Sequence, residues 1–223
     1  MTAGSLLDDV TNSLLDRAAP AGGAIYLMRH GRTALDMEKR SDGWLDMPLS
    51  NEGQVELIDS QQMLKQVPLT KIYTPSLKRT AETAHLIQSG TLSDPKIVVD
   101  DACKTWNLGV LAGTLKRYSR PEVKQLMDNP KATPQGGESY GAFTGRFLPW
   151  FQKRIAEVQK SGDPILIICS GSNLRCLGKM YLYNEDAVDL DEGGLAMMRP
   201  TAWGLSGEVI LGGEPSDSEY ESS

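Results

Sequence analysis

The run Pro164-Ile165-Leu166-Ile167-Ile168-Cys169 is apolar without interruption and is closed by Ser170-Gly171. It has strand length, and its lack of polar alternation leaves neither face for water. A strand buried on both faces belongs at the centre of a parallel sheet with helices packed above and below. The rest of the chain supplies such a frame. Strands are expected at Ala24–Met28, Lys71–Tyr73 and Lys96–Val99, with two short closing strands near 195–199 and 207–211. Between them the spacing predicts helices over about 51–66 with Ser50 as N-cap, from Ser76 through His85, from Ser119 to Met127, over 138–160, and from Ser172 to Tyr183. Strands alternating with helices imply an α/β fold: a three-layer sandwich with a mostly parallel central sheet flanked by helices.

One domain over 24–211 accounts for this pattern. Residues 1–23 read as an amphipathic appendage and linker, with Leu6, Leu7, Val10, Leu14 and Leu15 at helical spacing. Residues 212–223, rich in acids and serines, read as a solvated, disordered tail. The net charge of −6 argues against binding to a nucleic-acid polymer, and no apolar run is long enough to span a membrane. Three cysteines without zinc-like spacing fit a reducing, cytoplasmic setting. No metal or cofactor motif is present.

In a parallel sheet, ligands bind beyond the carboxyl ends of the strands. Three sequence-distant groups fall there: Arg29-His30-Gly31 after the first strand, Arg79 in the helix after the second, and Ser170-Gly171 after the apolar central strand. Two guanidiniums, an imidazole, a hydroxyl and helix N-terminal amides around one point describe an anion site. The adjacent Arg charges disfavour imidazolium and keep His30 neutral and nucleophilic.

These landmarks and their order resemble the histidine phosphatase superfamily, also called phosphoglycerate-mutase-like, over roughly residues 24–200. Arg29-His30-Gly31-Arg32-Thr33 matches its opening signature, Gly43 through Leu49 its G-x-x-D-x-P-L loop, Ser76 through Ala84 its second-arginine helix, and Gly136-Gly137-Glu138-Ser139 its G-G-E-S segment. The resemblance implies a phosphorylated small-molecule substrate. It also implies that His30 is phosphorylated during turnover and that Arg29 and Arg79 clamp the phosphoryl group. Arg32, Thr33, Gly171, Asp42 and Glu138 are the expected substrate contacts.

The chain departs from the family pattern in two places. The family's second His, after the central strand, corresponds here to Ser170, which offers a neutral hydroxyl where imidazolium charge is expected. The usual acidic proton donor corresponds to Thr105, which leaves Asp42 and Glu138 as candidate donors. Asp36 stands where an Asn is often found. The expectation is a phosphatase that turns over slowly, and faster with His at 170. The alternative is a catalytically impaired pseudophosphatase that binds a phosphate ligand or a partner. A minor alternative is a cysteine-dependent phosphatase, because Cys169 through Arg175 has C-x5-R spacing between a strand and a helix.

Overall fold

A computed structural model describes residues 23–212 except 185, 202 and 203. The appendage expected over 1–23 and the tail over 212–223 lie outside the described residues, apart from Gly23 and Gly212. Six strands form one sheet: β1 (Ile25–Arg29), β2 (Lys71–Thr74), β3 (Lys96–Val99), β4 (Ile165–Cys169), β5 (Leu195–Thr201) and β6 (Gly204–Leu211). Their order is β3-β2-β4-β1-β5-β6. The apolar strand β4 lies between β2 and β1, parallel to both, as its composition requires. Only β5 runs against the others, so the sheet is mixed, and β5 with β6 forms a longer hairpin than the sequence suggests.

Alternate residues of β4 serve opposite faces. Ile165, Ile167 and Cys169 join one core cluster with Phe143, Phe147 and Phe151 of α5 (Tyr140–Ser161) and Leu174 and Leu177 of α6 (Gly171–Tyr181). Leu166 and Ile168 join the other with Leu57, Met63 and Leu64 of α2 (Asn51–Leu64) and Ala84 and Ile87 of α3 (Lys78–Gly90). Two dry clusters separated by a sheet make three layers. Met197 and Met198 of β5 pack on opposite sides of this core.

Two further helices shape the cleft: α1 (Ala34–Met37), a single turn capped by Thr33, and α4 (Lys116–Asp128). The structure corrects the expected start of α4. The helix begins after Leu115, whose pairing with Arg40 and the Lys116 N–H bond to Lys39 O at 2.8 Å turn the chain inward before Ser119. Ser119 is therefore buried inside the helix rather than capping it. The earlier start brings Lys116 to the cleft.

Gly53, in the first turn of α2, positions the active loop by close approach. A β-carbon there would lie 2.1 Å from Arg32 O and 2.6 Å from Arg32 N, and one on Gly31 would lie 2.6 Å from Gly53 O. Backbone cannot yield as a flexible side chain can. Gly53→Ala is therefore expected to cost about 1–3 kcal/mol by overpacking, read in urea melts, as the Arg32 backbone is pushed away.

Candidate active site

The strand register brings the key residues out together. Arg29 pairs with Cys169 at the carboxyl ends of β1 and β4, and the His30 N–H bonds Cys169 O at 3.0 Å. Ser170 follows immediately as N-cap of α6, its N–H held by Asn173 Oδ1 at 3.2 Å. On the other side of β4, β2 leads through Pro75 into α3 and Arg79. The result is a cleft of about 310 Å³ whose lining includes Arg29, His30, Arg32, Asp42, Arg79, Ser170 and Gly171.

His30 is 2% exposed. Its Nδ1 lies 2.9 Å from Gly31 O, and its Nε2 lies 3.2 Å from Nε of Arg79. A carbonyl can only accept and a guanidinium can only donate. The proton is thus on Nδ1 and the lone pair on Nε2. Burial first and the Arg79 charge second pull the His30 pKa down to about 3, so the ring is neutral at physiological pH.

Arg79 is buried and braced by the loop after α1, donating to Leu45 O and Gly43 O at 2.8 Å each. The carbonyls of the G-x-x-D-x-P-L loop thus aim the fork. Arg29 donates to Leu190 O at 2.6 Å and pairs with Glu192, while its Nε is buried with no partner. Arg32, about two-fifths exposed, pairs with Glu56 at 3.3 Å at the rim.

Asp36 and Asp42 line the cleft, but Thr33, expected to contact substrate, does not: it is fully buried behind them and ties the two acids together. Thr33 Oγ1 lies 3.0 Å from both Asp36 Oδ2 and Asp42 Oδ1. Asp36 also receives the Thr33 N–H at 3.1 Å and Lys116 Nζ at 3.3 Å. Burial opposes the Asp36 charge, but His30, Lys116, Arg29 and the Thr33 N–H outweigh it and hold its carboxyl below the usual range. Asp42 goes the other way: burial first and the Asp36 charge second push it up to about 6. A ring nitrogen of His30 and one oxygen each of Asp36 and Asp42 lie within 4.8 Å of one another.

Two further expected residues are placed elsewhere. Glu138 is not in the cleft wall: its carboxylate grips Arg146 at 2.6 Å and the Asn107 N–H at 2.9 Å, which fixes the loop through Thr105. Cys169 is fully enclosed in the core, its thiol pushed up by burial. The C-x5-R alternative thus lacks a nucleophile, because the last side chain of β4 faces inward. Its arginine does reach the cleft. A β-carbon on Gly171 would lie 3.5 Å from Nη1 of Arg175, so the guanidinium folds back over the start of α6 beside Ser170. Sequence reading brought Arg175 to a phosphate only within the C-x5-R alternative, and it missed Lys116 and Glu192 as cleft residues. For Arg175, its place one turn into the helix after the strand was the available signal.

Comparison with known proteins agrees with this geometry. The family profile described as Histidine phosphatase superfamily (branch 1) matches residues 25–197. The chain belongs to the histidine phosphatase superfamily. Among similar superfamily members is a 2,3-bisphosphoglycerate-dependent phosphoglycerate mutase 2 of Gloeobacter violaceus, 27% identical over 159 residues, which cover 69% of this chain and 73% of that protein. Similar folds include phosphoglycerate mutase from Bacillus anthracis, with TM-score 0.71, 18% identity and coverage of 86% of this chain and 92% of that one. A mycobacterial glucosyl-3-phosphoglycerate phosphatase gives TM-score 0.67, 18% identity and coverage of 86% and 99%. Among the described residues, no helix of this superfamily member is long and apolar enough to cross a membrane.

Proposed function

We propose that this chain is a phosphatase that acts on a phosphorylated small molecule through a phosphohistidine on His30. The observation that carries the reading is the fixed tautomer of His30, with an available Nε2 lone pair beside a braced guanidinium in an arginine-lined cleft. When substrate enters, the Arg79 Nε–H exchanges its weak contact with Nε2 for a phosphoryl oxygen. Arg29 adds its positive charge to the same end of the cleft. Ser170 and the first amides of α6 hold the remaining oxygen. Catalysis of phosphoryl transfer is largely positioning and stabilisation of charge on the equatorial oxygens.

Arg175 changes what is expected of Ser170. A hydroxyl at that position supplies no charge, but the guanidinium folded over Gly171 sits at the same end of α6. It has no ion-pair partner among the described residues. In this reading Arg175 supplies the cation that the family places on its second His, and the chain is not a disabled enzyme.

The names of similar relatives favour a second reading, phosphate transfer between two hydroxyls of one substrate. Both readings use His30 and differ in the fate of the phosphoryl group. A panel of phosphomonoesters including 3-phosphoglycerate separates them. Hydrolysis releases inorganic phosphate from one or more members. Conversion of 3- to 2-phosphoglycerate without phosphate release would replace hydrolysis by mutase activity, and binding without either reaction would point to a pseudophosphatase.

A further inference from the structure

Thr33 stands between two carboxylates with a single proton to give. Its Oγ1 is 3.0 Å from Asp36 Oδ2, 3.0 Å from Asp42 Oδ1 and 3.2 Å from the Asp36 N–H. A hydroxyl has one proton and two lone pairs. With both acids ionised, one of the two contacts would be a bare oxygen–oxygen approach at hydrogen-bond distance in a buried wall. The hydrogen bonds close if Asp42 carries a proton: Asp42 donates to Thr33, Thr33 donates to Asp36, and the Asp36 N–H fills the second lone pair. Asp36 is the natural anion of the two, because Lys116 Nζ and the Thr33 N–H bind it.

Resting on the phosphohistidine reading, we propose that Asp42 is the catalytic acid and base of this reaction, in a cleft where the side chain of Thr105 has no proton to lend at the required strength. The groups facing Asp42 are His30 at the end of β1, Asp36 of α1, Arg79 of α3 and Lys116 of α4. Its raised pKa, about 6, agrees with the hydrogen-bond count. A phosphate dianion entering beside it adds negative charge and strengthens its hold on the proton. In the first step, the Nε2 lone pair of His30 forms the N–P bond and the ester P–O bond breaks. Its electron pair goes to the leaving oxygen, which takes the Asp42 proton and departs as a neutral alcohol. In the second, water attacks phosphorus while the Asp42 carboxylate accepts a water proton. The N–P pair then returns to Nε2 and inorganic phosphate leaves. The acid is regenerated.

Leaving-group dependence tests this assignment. An alkoxide needs a proton as it departs, whereas 2,4-dinitrophenolate does not. Asp42→Asn is expected to lose roughly 10²–10⁴-fold in the rate of forming phosphohistidine from an alkyl phosphate such as glycerol 3-phosphate. From 2,4-dinitrophenyl phosphate the loss is expected to stay below about tenfold. Equal losses on both substrates, or none on either, would overturn the proposal. If the variant melts at a much lower temperature than the native chain, the native pH profiles decide. The alkyl ester should show a falling alkaline limb in kcat/KM that the dinitrophenyl ester lacks, and coincident profiles would count against Asp42. Failure of the phosphohistidine reading has a different signature: no acid-labile, base-stable phosphate on the native chain with either ester.

Discussion

His30→Ala is expected to abolish turnover, lowering kcat by at least about 10⁴-fold, while Cys169→Ser leaves most of it. In the proposed reaction the ring supplies the bond-forming lone pair, with Nδ1 anchored to Gly31 O and Nε2 turned to Arg79. Removing it leaves the arginines able to bind phosphate but nothing to receive the phosphoryl group. Phosphate affinity should therefore fall far less than rate. The Cys169 thiol is enclosed beneath β4 and held protonated by burial, so the serine replacement changes the core by little more than one atom. Steady-state kinetics on any active phosphoester read both variants, and activity surviving in His30→Ala would move the nucleophile elsewhere.

The second large effect is expected at Arg175. Arg175→Met should lower kcat by on the order of 10²–10³, the typical cost of removing one well-aimed donor from a transition state. Inorganic phosphate should bind only modestly more weakly, since Arg29 and Arg79 remain. Orthovanadate, which resembles the five-coordinate state, should lose more affinity than phosphate does. From sequence alone, Ser170→His would accelerate the native chain by a similar factor. With a guanidinium already over Gly171, the gain should instead be confined to the Arg175→Met background, where the imidazolium replaces the lost charge. If Arg175→Met hydrolyses phosphoesters as fast as the native chain, Ser170 is again the weak point. A large acceleration from Ser170→His alone would say the same.

The sheet was legible because burial leaves a periodic trace. An unbroken apolar β4, Lys96–Val99 and the capped helix after Ser50 all lie where their side-chain patterns place them. Convergence of Arg29, His30, Arg79 and Ser170 was legible too, since parallel strands deliver their carboxyl ends to one edge. The start of α4 was not. A local S-x-x-E pattern at Ser119 lost to the pairing of Arg40 with Leu115, a contact between residues far apart in the chain.

The same limit separates the candidate acids. In the sequence Asp42 and Glu138 are both polar loop residues followed within a few positions by motif landmarks. Only the fold gives Glu138 to Arg146 and places Asp42 against Thr33 and the Asp36 charge. Arg175 likewise carries no sequence mark beyond its spacing from Cys169, and only the fold bends its guanidinium over the start of α6. Sequence by itself determined the layers and the sheet edge at which Arg29, His30, Arg79 and Ser170 meet, because these follow from periodicity and strand direction. Tertiary structure decided which charges reach that edge and which of two neighbouring carboxyls holds a proton more tightly. Those outcomes depend on burial and on distances between residues remote in the chain, and no local pattern encodes them.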